Sequence, residues 1–313
     1  LVIYINGIAL GMLELKRSTV SVAEGIRQHL DNQKKAFIQP FFSTQQWLMA
    51  GNDSEGLRYA TIETPEKYWR RWVEDGGPVA QEPNLLDRQL LQVCEKARLL
   101  ELIHDFVVFD AGVKKLCRQN QYFGVKAAQA FLRRREGGIL WHTQGSGKSL
   151  TMVWLAKWIL ENIPGSRVLI ITDRTDLDGQ IEKVFLGVQQ RIYRTRSGAD
   201  LTEKLNGTEH ALICSLVHKF GRQGGDEAAG DAATQAFIAA LQKLPPNFKA
   251  KGDFYVFVDE CHRTQTGHLH QAMKALLPNA VFIGFTGTPL LKANQQKSIE
   301  VFGRYIHTYK FDQ

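Results

Sequence analysis

One segment constrains the fold of this 313-residue chain more than any other: ILWHTQGSGKSLTMVWLAKWI, residues 139 to 159. An apolar run, a glycine-rich turn and a helix-forming stretch follow one another, the order in which a phosphate-binding loop gains physical sense. Gly145 and Gly147 let backbone N–H groups curl around phosphate oxygens, with Thr143 and Ser146 between and beside them, and the next helix points its positive end at the anion. Lys148 is placed to reach the β- and γ-phosphates and Ser149 to ligate Mg²⁺, which predicts ATP and Mg²⁺ as cofactors. A strict G-x-x-x-x-G-K-[ST] pattern is not met, because His142 stands where the first glycine belongs.

The surroundings repeat the same rhythm. GILWH, RVLIIT, HALICS, FYVFVDE and AVFIGFT are short runs, apolar on both faces, separated by longer amphipathic stretches. Strands of that kind belong in a parallel sheet covered by helices. Residues 119–313 are therefore expected to form one α/β domain, with the Gly/Ala/Asp-rich 221–234 as an insertion. Hydrophobic residues make up 44% of the chain, enough for a large core, and the length favours two domains. Residues 1–118 are expected to form the other, with strands, then a helix, then mixed structure: a hairpin about Asn6-Gly7, helical spacing over 22–37, a Gly/Pro-rich connection at 74–84, then helical periodicity from Leu85 to Cys117.

In YVFVDECH, Asp259 follows an apolar strand and is placed to hold Mg²⁺ through water, with Glu260 placed to activate the attacking water. His262 would sense the γ-phosphate or serve as a packing histidine. In FIGFTGTP, Thr286 and Thr288 either bridge the nucleotide site to a DNA-binding surface or cap the strand before Pro289. The formal charge of +7 is compatible with a polyanionic partner without proving one. Cys94, Cys117, Cys214 and Cys261 have no C-x-x-C spacing, which argues against a zinc ribbon or disulfide framework and fits a reducing cytoplasm. No apolar stretch approaches the roughly 20 residues needed to span a bilayer, so no membrane partner is expected.

Thr143 to Ser149 reads T-x-G-x-G-K-S, the form seen in superfamily 2 helicases and translocases. Taken with NGIALGMLELK, ITDRTDLDGQI, DECHRTQ and GFTGTP in order, it makes the chain closely resemble the motor subunit of type I restriction enzymes. The resemblance covers nearly the whole chain. It implies a PD-(D/E)xK nuclease-like domain, α/β with a mixed sheet, followed by the first RecA-like, parallel-sheet motor lobe, double-stranded DNA as substrate, and methyltransferase and specificity subunits as partners. It also implies that Gln129 is the adenine-reading glutamine.

Residues two apart in a strand share a face, so Glu14 and Lys16 project together. In a PD-(D/E)xK nuclease two acids hold Mg²⁺ and the lysine orients or activates the attacking water. With Ile5 opposite Ile8 and Leu1 opposite Met12, the position facing Glu14 falls just before Leu1, where the family pattern also has its other acid. Gln28 matches the first position of the family's Q-x-x-x-Y element, but Asn32 replaces its tyrosine. The chain opens inside a strand without an initiator Met, so a fragment is expected, with a second lobe after residue 313, little ATP hydrolysis by itself and no cleavage. Two other readings stay open: a superfamily 2 helicase or remodeller with a structural N-terminal domain, and a nucleotide-binding module that docks on partner subunits.

Overall fold

A computed structural model of the chain describes all residues except 75, 78, 173–174, 189, 217–238, 240–247, 249, 262–271, 289–298, 300–301 and 311–313, and for 175–180 the backbone alone. The 221–234 segment, Arg263 to Gln265 and the side chains of Asp173 to Gln180 lie outside the described residues, as does His262. The chain divides into two compact units, Leu1–Gln119 and Asn120–Gln313. No helix among the described residues is long and apolar enough to cross a membrane.

The first unit is built on a five-stranded mixed sheet in the order β1 (Val2–Ile5), β2 (Ile8–Leu15), β3 (Trp47–Asn52), β4 (Gly56–Ala60), β5 (Arg70–Arg71). Asn6 (φ 50°) and Gly7 (φ 79°) form the β1–β2 turn, where both central residues need positive φ. β2 and β3 run parallel, so a crossover must join them, and α1 (Val22–Asn32) is part of it. The Ser21 hydroxyl caps α1 by accepting from the Ala23 N–H, and the helix buries Val22 and Ile26 against Leu48, Ala50, Ala60 and Trp69. On the other face, Trp47 stacks on Tyr59 at 4.8 Å, and the Tyr59 hydroxyl donates to the Cys117 carbonyl at 3.0 Å.

Three expectations need correction here. First, a bulge between Ile3 and Tyr4 shifts the hairpin register: Val2, not Leu1, faces Met12, and Leu1 instead exchanges backbone hydrogen bonds with Leu13 at 2.9 and 2.8 Å. Second, the helix predicted over 22–37 ends at Asn32, and Phe37 is exposed. Lys34 turns back on Asp31 through its N–H, and a separate 3₁₀ turn over Gln39–Ser43 follows, with Pro40 at its start. Third, 85–117 is not one helical stretch. It comprises α2 (Leu85–Val93), α3 (Lys96–Asp105) and the hairpin β6 (Val107–Asp110) and β7 (Val113–Leu116). The break comes from the Glu95 carboxylate, which caps α3 by accepting from the Ala97 and Arg98 N–H groups at 3.1 and 2.8 Å.

In the second unit, α4 (Gln119–Arg133) leads into β8 (Gly138–His142), α5 (Lys148–Asn162), β9 (Ser166–Thr172), α6 (Thr175–Gly187), β10 (Tyr193–Arg194), α7 (Gly198–Asn206), β11 (Leu212–Leu216), β12 (Asp253–Val258), β13 (Val281–Thr286) and β14 (Tyr305–Tyr309). All seven strands lie in one parallel sheet, ordered β10-β11-β9-β12-β13-β8-β14. This is an α/β, RecA-like architecture. β9, β11 and β13 are buried at every position, as strands covered on both faces must be. α5 buries residues all round, including Met152, Trp154 and Leu155. Arg167, only 4% exposed, donates to the carbonyls of Lys204, Leu205 and Gly207 at the end of α7 and to those of His210 and Lys251. A guanidinium thus satisfies carbonyls that the helix end leaves open.

Candidate functional site

The loop between β8 and α5 carries the first constellation. Gly145 (φ 75°) and Gly147 (φ 85°) occupy the left-handed region, which costs glycine nothing and other residues strain. The Thr143 carbonyl accepts from the Ser146 N–H at 3.2 Å, closing the loop. The Ser146 hydroxyl is buried within it and meets no hydrogen-bond partner among the described residues. Lys148 folds back toward the His142 carbonyl, with Nζ at 3.5 Å. Its ammonium lies so close to Gly287 that a Cβ there would stand 2.6 Å away. Ser149 sits half-buried beside it in the first turn of α5.

β13 lies between β8 and β12 in the sheet, so the acidic pair is one strand further from the loop than adjacent placement would put it. Asp259 is 7% exposed and accepts from the Thr172 hydroxyl at 3.2 Å. Glu260, 8% exposed, has φ 48°, a conformation rare outside glycine that persists where the surroundings enforce it. Thr286 at the end of β13 is fully buried. Its hydroxyl accepts from the Thr288 N–H and donates to the Thr288 carbonyl, both at 3.2 Å, so the threonine pair shapes the turn after β13.

His142 has its own partners. Its Nδ1 faces the Asn120 amide nitrogen at 3.4 Å, which makes Nδ1 the acceptor and leaves the proton on Nε2, 2.9 Å from Nδ1 of His307 on β14. Gly124 on α4 admits the ring: a Cβ there would meet His142 Cε1 at 2.8 Å. Burial, then the charges of His307 and Lys148, push the His142 pKa down from the ordinary 6.5 to about 3. Burial lowers His307 and His29 as well. Between pH 6.5 and 3 the unfolded chain binds a proton that folded His142 refuses. Its contribution is therefore whole above pH 6.5 and falls by up to ~1.4 kcal/mol per pH unit below it. Urea unfolding at pH 7.5 and 5.5 should show a lower midpoint at the acid value, and equal midpoints would contradict the assignment.

Gln129, the expected adenine reader, lies on the buried face of α4, and among the described residues its Nε2 has no hydrogen-bond partner. Gln121, about 12 Å nearer the start of α4 at 1.5 Å per residue, donates from Nε2 to the Gly147 carbonyl at 2.8 Å. The readable signal was a polar residue on the apolar stripe of Val125, Ala128 and Leu132. Gln129 shares that face, and only the helix's placement separates the two.

In the first unit, Glu14, Lys16 and Gln28 come together. Lys16 Nζ donates to Glu14 Oε1 at 3.0 Å and to Gln28 Oε1 at 2.5 Å. Side chains of the acid and the lysine are 19% and 21% exposed, enough to meet a ligand and little enough to be held. Gly25 brings α1 down onto them: a Cβ there would lie 3.5 Å from both Cγ atoms and 3.2 Å from the Ala50 Cβ. Asn32, one turn past Gln28, accepts from the Ile38 N–H through its carbonyl. Among the described residues no three His, Cys, Asp or Glu side chains cluster as a metal cage. Mg²⁺ suits the loop site better than a cage would suggest, because one or two carboxylates plus substrate phosphates suffice. There the buried Ser146 hydroxyl, without a hydrogen-bond partner among the described residues, and the open space beside Gly145 fit phosphate oxygens. At the other site Glu14 supplies one carboxylate.

Comparison with known proteins matches residues 120–313 to the SWI2/SNF2 ATPase family and residues 1–67 to the type I restriction enzyme R protein N terminus. The putative type I restriction enzyme MjaIXP endonuclease subunit of Methanocaldococcus jannaschii is 29% identical over 100% of this chain and 31% of its own length. The SsaAORF53P endonuclease subunit of Staphylococcus saprophyticus is 27% identical over 98% of this chain and 32% of its own. The chain thus spans about a third of these relatives. A crystal structure of the UvsW helicase from bacteriophage T4 is similar over 67% of each chain, with 18% identity and a TM-score of 0.46.

Proposed function

Because the chain belongs to the SWI2/SNF2 ATPase family and to the endonuclease (R) subunits of type I restriction enzymes, we propose that it couples ATP hydrolysis to movement along double-stranded DNA and to Mg²⁺-dependent cutting away from the recognition site. The observation that carries this reading is the convergence of Glu14, Lys16 and Gln28 in the same chain as a complete phosphate loop. Methyltransferase and specificity subunits in the cytoplasm are the proposed partners.

In the motor unit, the loop N–H groups and Lys148 bind the triphosphate. Ser149 and Asp259 hold Mg²⁺, which when bound neutralises charge on the phosphate oxygens. Glu260 takes the proton of the attacking water. Gln121 fixes the loop through Gly147, and the β13 end, wedged between loop and acids, carries the state of the γ-phosphate toward DNA. In the first unit Glu14 holds the metal, and Lys16, steadied by Gln28, orients water at the phosphorus.

Mapping the ends of DNA cut by the assembled complex tests the proposal against a helicase with an inert N-terminal unit. ATP-dependent breaks scattered far from the recognition site are expected. Intact DNA despite vigorous ATP turnover would favour the helicase.

A further inference from the structure

Pairing across the first unit's sheet sets Glu14 opposite Ala50, Ala50 opposite Arg58, and Arg58 opposite Arg71. Directly paired residues share a face, so the acid and two arginines stand in one row, with Arg58 about 10 Å from Glu14 at 4.8 Å per strand. α1 crosses the middle of the row at Ala50, where Gly25 rests on it. One flank of the helix holds Glu14, Lys16 and Gln28. The other opens as a recess of about 480 Å³ lined by Ile26, Glu55, Arg58, Lys67 and Trp69.

On the arginine flank two like charges meet. Like charges directly opposed on antiparallel strands destabilise a sheet, yet Arg58 faces Arg71. Burial first, then the Arg71 charge, pushes the Arg58 pKa down. The carboxylates in the recess are committed elsewhere: Glu55 accepts from the Val22 N–H at 2.9 Å, and Glu66 accepts from Arg27 at 3.0 and 3.2 Å. Among the described residues, neither the Arg58 nor the Arg71 guanidinium makes a hydrogen bond or ion pair. Glu55 offsets Arg58 only through space, its carboxylate being bonded to the Val22 N–H; a half-buried cation that faces a second cation and makes no direct bond to a carboxylate is the arrangement of a site that can take an anion from a ligand.

We propose that Arg58 and Arg71 bind a phosphate of the DNA backbone, on the opposite flank of α1 from the Glu14 site, and so position the duplex for cutting. The choice of DNA rests on the function proposed above. The anion chemistry rests on the arginine pair alone.

The test uses the 313-residue chain, a fluorescent DNA duplex and metal-free, nucleotide-free buffer. Arg58→Gln and Arg71→Gln should each weaken binding about 3- to 10-fold near 0.1 M salt. Each should also reduce the slope of log affinity against log salt by about one, because one phosphate contact is lost. Lys34→Gln, which removes a charge already paired with Asp31, should leave both unchanged. Arg71 is exposed on a two-residue edge strand, so its variant tests the idea even if Arg58→Gln folds poorly. In the free chain, Arg71→Gln should raise Tm by ~1–3 °C through relief of repulsion, whereas a structural arginine would lower it. Affinity and slope equal to those of Lys34→Gln would overturn the proposal. So would competition by millimolar ATP that the double variant abolishes, since the pair would then be a nucleotide site. Without metal the assay is blind to chemistry at Glu14, so its failure is separate from failure of the nuclease reading, which cutting by Glu14→Ala would reveal.

Discussion

Lys148→Ala is expected to lower ATP hydrolysis by at least about 100-fold and to abolish translocation and distant cutting together. The ammonium is the cation brought to the phosphate loop, and it already lies over it, between the His142 carbonyl and Gly287. Loss of one preorganised electrostatic contact to a developing charge typically costs 10²–10³ in rate, or ~3–4 kcal/mol of barrier. Backbone geometry should survive, because the glycine conformations and the Gln121 bond to Gly147 do not involve the lysine side chain. Paired measurements of phosphate release and DNA breaks in the full subunit with its partners provide the check. Cutting that persists after hydrolysis is lost would mean that the two activities are not coupled.

Glu14→Ala should produce the converse phenotype, with cutting reduced about 1,000-fold or more and ATP turnover unchanged within about two-fold. Removal of the carboxylate takes away a metal ligand and also frees Lys16, which would keep only Gln28. Electrostatic and positioning losses then fall on one step. The phosphate loop belongs to the other compact unit, so hydrolysis has no reason to change. A supercoiled plasmid assay run beside phosphate release distinguishes the outcomes, and undiminished linear product from the variant would remove the first unit from the chemistry.

Much of this was legible in the sequence where local physics is decisive. β8, β9, β11, β12 and β13 announced themselves as apolar on both faces. β14 did not, because Tyr305-Ile306-His307-Thr308-Tyr309 interleaves polar residues, one of which is spent on His142. Period-two geometry put Glu14 beside Lys16, and the Asn6-Gly7 turn gave the hairpin. A bulge then altered the register by one residue, which no composition rule foretells. Gln121 and Gln129 were indistinguishable by helical stripe, since their difference lies in which end of α4 meets the loop. The Arg58–Arg71 opposition depends on register carried across β3, β4 and β5 and was invisible one residue at a time.

The sheet order also determines when the phosphate loop can form during synthesis. β8 is the first strand of its sheet to be made, yet its two neighbours, β13 and β14, are the last. Its partners Ile283 and Tyr305 leave the ribosome on the order of ten seconds after Gly138 and Ile139. Until then β8 has both edges open. The phosphate loop thus takes its final surroundings only when the other strands are already in place, and an arrested chain lacking β13 would expose an aggregation-prone strand beside that loop.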